Sequence, residues 1–158
     1  MSSSLIGGLR RQFLLSTVFL VVSGAATALS THPSQAEDIN VVERATSDAV
    51  LDTGATGDSA GDLLTFGNEV YDAEDKNKVG DNNGWCIRTV VGKAWECFWT
   101  LTLQEGQITV AGPFTDGKDS VLAVTGGTGK YQNARGEMML HARDAKGTSY
   151  DFKYRLTD

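Results

Sequence analysis

WCIRTVVGKAWECFWTLTL, residues 85–103, decides the fold. Two apolar runs, WCIRTV (85–90) and WECFWTLTL (95–103), flank a short turn and alternate with a period of two, which is the signature of paired strands rather than of a helix. In the second run Trp95, Cys97, Trp99, Leu101 and Leu103 share one face, while Glu96, Thr100 and Thr102 share the other. Pairing Cys86 with Cys97 across a loop from Val90 to Lys93 puts Cys86, Arg88 and Val90 on that same inner face. Cα atoms at such a non-hydrogen-bonded position approach to about 4.5 Å, and a two-residue loop would put them at the wider kind of pair at about 5.5 Å; either is close enough for a disulfide. Two buried free thiols are the alternative.

Working outward, the same pattern repeats. IleAsnValValGlu within Glu37–Glu43 predicts a first strand, and residues 45–62, rich in Gly, Thr, Ser and Asp, predict a mobile surface loop. LLTFGNEVYD (63–72) is a strand with Leu64, Phe66, Asn68 and Val70 inward, and EDKNKVGDNNG (74–84) reads as a polar loop. QITVAGPF (107–114), VLAVTG (121–126), GEMMLHAR (136–143) and SYDFKYRL (149–156) follow, the last with Tyr150, Phe152, Tyr154 and Leu156 on one face. No stretch has sustained helical periodicity. Eight such strands with short connections predict an all-β, eight-stranded antiparallel up-and-down barrel, because closure leaves no exposed edge. A barrel of that size either fills with side chains or holds one small ligand. Asn68 and Arg88, two polar groups facing an apolar lumen, suit a ligand pocket; a one-residue register slip would instead put Arg88 on the surface.

Composition narrows the function. The 158 residues carry 14 Lys and Arg against 20 Asp and Glu, a net charge of −6, with 18 Gly and only 2 Pro. An acidic surface disfavours nucleic acid and anionic membranes. With two histidines, His32 and His141, and two cysteines, the chain lacks the ligands of multi-histidine and four-cysteine metal sites, so no metal is expected. His141, next to Arg143 and out of phase with Met138 and Leu140, is expected to face solvent. Residues 1–36 read as a cleaved signal peptide: Arg10 and Arg11, the apolar FLLSTVFLVV (13–22), then Ser34-Gln35-Ala36 as a small-x-small site. RRQFLL also resembles a twin-arginine signal. The expected location is secreted or periplasmic, and the oxidising compartment favours the disulfide. The expected organisation is then a strand and flexible loop over 37–60 and the barrel domain over 61–158.

Two tempting motifs fail on spacing. VTGGTGKY (124–131) has Val124 where a phosphate loop needs its first glycine and Tyr131 where it needs Ser or Thr, so a tight turn built on glycine is expected instead. Counted from Asp75 as a calcium loop, Val79 and Cys86 stand at the fifth and twelfth positions, and the closing acid is missing.

GDLLTFGNEVYD, KVGDNNGWC, ITVAGPF and LAVTGGTGKYQNARGE, in this order between Gly61 and Leu156, resemble the allene oxide cyclase barrel superfamily, to which the dirigent proteins are related. The resemblance implies a barrel with an apolar cavity, no cofactor, and assembly as a homotrimer or homodimer. It also implies chemistry in which an unsaturated fatty-acid epoxide is opened and folded so that a cyclopentenone closes with one handedness. Leu64, Phe66 and Asn68 fall on cavity positions of the plant enzymes, where the asparagine helps hold a water. Cys86 falls on a cavity cysteine, Phe114 replaces a tyrosine, and Glu43 matches an acidic position near the barrel start. The Ser-Pro pair that completes the plant water site has no counterpart between Glu43 and Asp62, Arg88 replaces an apolar residue, and Cys97 gives Cys86 a partner.

The leading expectation is an exported, cofactor-free barrel that binds a small hydrophobic molecule and steers its stereospecific cyclisation. Glu43 and Asn68 would carry the chemistry. Leu64, Phe66, Cys86, Arg88, Trp95, Trp99 and Phe114 would line the ligand, with the ring faces stabilising a transient cation and Arg88 holding a carboxylate. Two alternatives stay open: a non-catalytic protein that binds a hydrophobic ligand, and a dirigent-type guide of radical coupling.

Overall fold

The computed structural model of the chain describes residues 37–157, so the signal sequence expected over 1–36 lies outside the described residues. Nine strands form one antiparallel sheet: β1 Glu37–Arg44, β2 Ala49–Leu51, β3 Leu63–Asp72, β4 Lys78–Val90, β5 Ala94–Leu103, β6 Gly106–Thr115, β7 Ser120–Gly127, β8 Arg135–Ala142 and β9 Ser149–Thr157. The order β1-β9-β8-β7-β6-β5-β4-β3 closes on itself, because β1 pairs along its whole length with β9 and through Val41–Arg44 with Glu69–Asp72 of β3. These eight strands are the barrel. Short β2 covers the part of β3 that β1 does not reach, with Ala49 opposite Thr65 and Leu51 opposite Leu63.

The alternation read from β5 holds in three dimensions. Trp95, Cys97, Trp99 and Leu101 are buried in the lumen, as are Phe152, Tyr154 and Leu156 of β9 and Met138 and Leu140 of β8. His141 lies on the outside, 2.7 Å from Asp119. VTGGTGKY ends in a 3-10 turn, Gly129–Tyr131, whose Tyr131 packs on the core. Cys86 and Cys97 are direct cross-strand partners and form a disulfide, Cα atoms 4.0 Å apart.

Three local expectations change. The polar loop expected over 74–84 shrinks, because β4 begins at Lys78. KVGDNNG has poor strand propensity, but β3 and β5 lie on either side of it and their backbone groups need partners there, so pairing overrides propensity. Within the expected mobile loop 45–62, β2 is paired, and buried Asp62 ties the rest by accepting from the Thr53 and Ser59 amides, each at 2.8 Å. Val90, expected inward, is 47% exposed, since a bulge between Arg88 and Val90 shifts the register and reverses the face.

Gly84 shows why the lumen needs a missing side chain. It sits on the inner face between Phe66 and Trp99, and a Cβ there would lie 2.4 Å from the Trp99 Cβ and 2.8 Å from the Phe66 ring. The two rings instead meet edge to face, centroids 6.1 Å apart, across the space it vacates.

Candidate functional site

β1 turns Val41 and Glu43 into the lumen, which leaves a carboxyl only 4% exposed inside an apolar barrel. Its Oε1 accepts from Asn68 Nδ2 at 3.2 Å and from Asn82 Nδ2 at 3.1 Å. Burial raises its pKa from 4.5 to about 7; the two amide donors pull it back down less strongly, and the nearby Asp48 carboxylate adds to the rise. A carboxyl poised near neutrality can give or take a proton at physiological pH.

Asn68 is held from all sides. Its Oδ1 accepts from the Thr46 and Ser47 amides and from the Ser47 hydroxyl, each at 3.0 Å, while Nδ2 donates to Glu43 and, at 2.8 Å, to Asp48. It thereby pins the turn after β1 to the barrel wall. Both of its N–H donors are taken by protein carboxylates, so the water-orienting role expected of it has no free donor here.

Beside these groups lies a half-open cavity of about 50 Å³ lined by Glu43, Asp48, Leu64, Phe66, Asn68, Cys86, Cys97, Trp99, Phe114, Leu140, Tyr150 and Phe152. Its walls are aromatic: Trp99 stacks on Phe152 with centroids 5.5 Å apart, and Phe114 meets Tyr150 edge to face at 6.2 Å. The lumen is therefore mostly filled by its own side chains, and the chamber is far below the roughly 300 Å³ of a pocket that encloses a drug-sized ligand. Phe114 and Tyr150 also line a wide surface hollow of about 570 Å³, bounded by Asp116–Asp119 and Arg143–Gly147. They stand between the two spaces.

Of the residues expected at the site, Glu43, Leu64, Phe66, Asn68, Cys86, Trp99 and Phe114 come together around this chamber. Trp95 and Arg88 do not line it. Arg88 is buried on the inner face as the alternation required, but its guanidinium is spent on Asp58 at 2.6 Å and Asp116 at 2.7 Å and lies 4.1 Å from the Trp95 ring. It clasps the 52–62 loop and the β6–β7 turn, where the expectation from the sequence was a ligand carboxylate. Sequence reasoning missed Asn82, hidden in a stretch taken for loop, and Asp48. It had placed Leu140, Tyr150 and Phe152 inward without assigning them to the site.

The allene oxide cyclase family model matches residues 32–144. The chain belongs to the allene oxide cyclase family. Among solved structures, this family member is similar to a pyocyanin demethylase, with 26% identity and a TM-score of 0.64 over 73% of this chain and 98% of the other. It shares its fold with a pterocarpan synthase dirigent protein, at 12% identity and TM-score 0.62, covering 80% of this chain and 86% of that one. It also shares it with a Diels-Alderase from Streptomyces koyangensis, at 13% identity and TM-score 0.63, covering 81% and 70%. The allene oxide cyclase-type barrel read from the sequence is the fold of this chain, and cyclising and guiding proteins stand among its structural neighbours.

Proposed function

We propose that this allene oxide cyclase family member is an exported, cofactor-free acid–base barrel that binds one end of a small hydrophobic, unsaturated molecule and steers its stereospecific cyclisation or isomerisation. The observation that carries the reading is Glu43: a buried carboxyl, held by two asparagine amides and with a pKa raised to about 7, at the wall of a chamber lined by Phe66, Trp99, Phe114, Tyr150 and Phe152. In its acid form Glu43 donates a proton to an oxygen of the bound molecule, and in its ionised form it takes one back. Trp99 and Phe152 offer stacked ring faces to positive charge that develops along the unsaturated chain. The narrowness of the chamber selects one conformer, and rate and handedness follow from that restriction. Export rests on the leader read over 1–36. Neighbours named for demethylation, pterocarpan synthesis and a Diels–Alder reaction support a barrel that manages reactive small molecules.

The test supplies an allene oxide generated in place and measures the enantiomer ratio of the cyclopentenone. The expected result is a biased ratio with the native protein and a racemate with Glu43→Gln. A racemate at every concentration of native protein overturns the cyclase reading. A carrier function is favoured by the fully occupied donors of Asn68. It is recognised by native mass spectrometry as a bound hydrophobic molecule that Glu43→Gln retains and that emerges unchanged.

A further inference from the structure

Glu43 is touched by two asparagines that the protein holds very differently. Asn68 makes five hydrogen bonds, to Thr46, Ser47, Glu43 and Asp48, and fastens a turn as well as the carboxyl. Asn82, directly across from it on β4 and wholly buried, has one: its Nδ2 donates to Glu43 Oε1 at 3.1 Å, and its Oδ1 has no partner among the described residues. A buried carbonyl left unbonded is costly, and an apolar side chain of the same shape would avoid that cost. Among the described residues its single hydrogen bond, to Glu43, is what accounts for an amide at this position.

We propose that Asn82 is a positioning residue for the proton of Glu43: together with Asn68 it occupies Oε1 with two N–H donors, so that the proton is carried and exchanged by Oε2. An oxygen already accepting two N–H bonds is the poorer base, which directs the proton to its partner oxygen. The inference rests on the reading of Glu43 as the acid–base group. Of the two amides, Asn82 exerts the larger pull on Glu43 toward its ionised form. The other titratable groups facing Glu43 are Asp48, from the turn after β1, and Tyr150 and Tyr154, from β9.

The experiment is a pH titration of the Glu43 side-chain carboxyl by carbon NMR in protein labelled at glutamate. Asn82→Leu should raise the Glu43 midpoint by roughly 1–2 pH units, as loss of a hydrogen bond to a charged group requires. Asn82→Thr, whose hydroxyl can donate, should restore part of that change. An unmoved or lowered midpoint in Asn82→Leu overturns the proposal, since a purely structural asparagine would alter stability alone. Should Asn82→Leu not fold, the native protein decides. Its Asn82 side-chain amide resonance should titrate with the Glu43 midpoint and go flat in Glu43→Gln, and a flat amide in the native protein refutes the assignment. These readouts need no substrate. Their failure leaves the acid–base reading standing, whereas full stereocontrol by Glu43→Gln would sink that reading and leave the Asn82 contact intact.

Discussion

Replacing Glu43 by Gln should change how stability depends on pH, with a size set by the burial of this one carboxyl. In the unfolded chain Glu43 titrates near 4.5, and in the barrel near 7. Between those values the folded state holds a proton that the unfolded state has released, so stability falls as pH rises through the window and is flat beyond it. At about 1.4 kcal/mol per pH unit, ionised Glu43 costs the folded protein about 3 kcal/mol above pH 7 and nothing below 4.5. Gln cannot ionise, and its carbonyl can still accept from Asn68 and Asn82. The variant should therefore match the native protein at pH 4.5 and exceed it by up to about 3 kcal/mol at pH 8. Urea unfolding with the disulfide intact, repeated across this range, measures the difference as a change in midpoint at constant slope. Parallel pH–stability curves for the two proteins would refute the argument, because they would mean that Glu43 is ionised at little cost and is not poised for proton transfer.

Other expectations follow from neighbouring contacts. Gly84→Ala places a methyl against the Trp99 Cβ and the Phe66 ring and should destabilise by roughly 1–3 kcal/mol, with altered Trp fluorescence; an unperturbed spectrum and midpoint would contradict the packing described. Reducing the Cys86–Cys97 bridge, or replacing both by Ser, reopens a short hairpin loop and should cost on the order of 2–3 kcal/mol in denaturant, an upper figure for cysteines 11 residues apart. Arg88→Met should speed amide exchange over residues 52–62 while leaving capture of a hydrophobic probe unchanged; loss of capture would return Arg88 to the ligand site. Tyr150→Ala should join the chamber to the outer hollow and raise the association rate of such a probe, and an unchanged rate would remove Tyr150 and Phe114 as the barrier between the two spaces.

Much of the barrel is legible along the chain because a strand with one buried face must alternate. Trp95 to Leu101 and Tyr150 to Leu156 did so without ambiguity, and their aromatic and branched residues are ones that sheets favour. The first half of β4 was not legible. Gly80, Asn82 and Gly84 face inward there, so the residues that mark a strand by being apolar are the ones the lumen has no room for or uses to hold Glu43. Val90 misled for a different reason: a bulge changes register without leaving any trace in the alternation before it. At the site, Leu64, Phe66, Asn68, Cys86 and Glu43 could be named from a resemblance, but nothing local tells that Asp58 and Asp116 will reach Arg88.

The sequence by itself determined the class of fold and the inward face of most strands, since each depends on periodicity and short-range spacing, and it left Cys86 and Cys97 as either a bridge or two thiols, which the structure resolves as a disulfide. Only the tertiary structure decided that the lumen is nearly full and that Arg88 is a clasp. The same is true of Glu43, whose two amide partners lie 25 and 39 residues away and whose proton is held near neutral pH. Burial and hydrogen bonding of a charge are sums over groups that closure of the barrel brings together, and no local stretch of chain contains that sum.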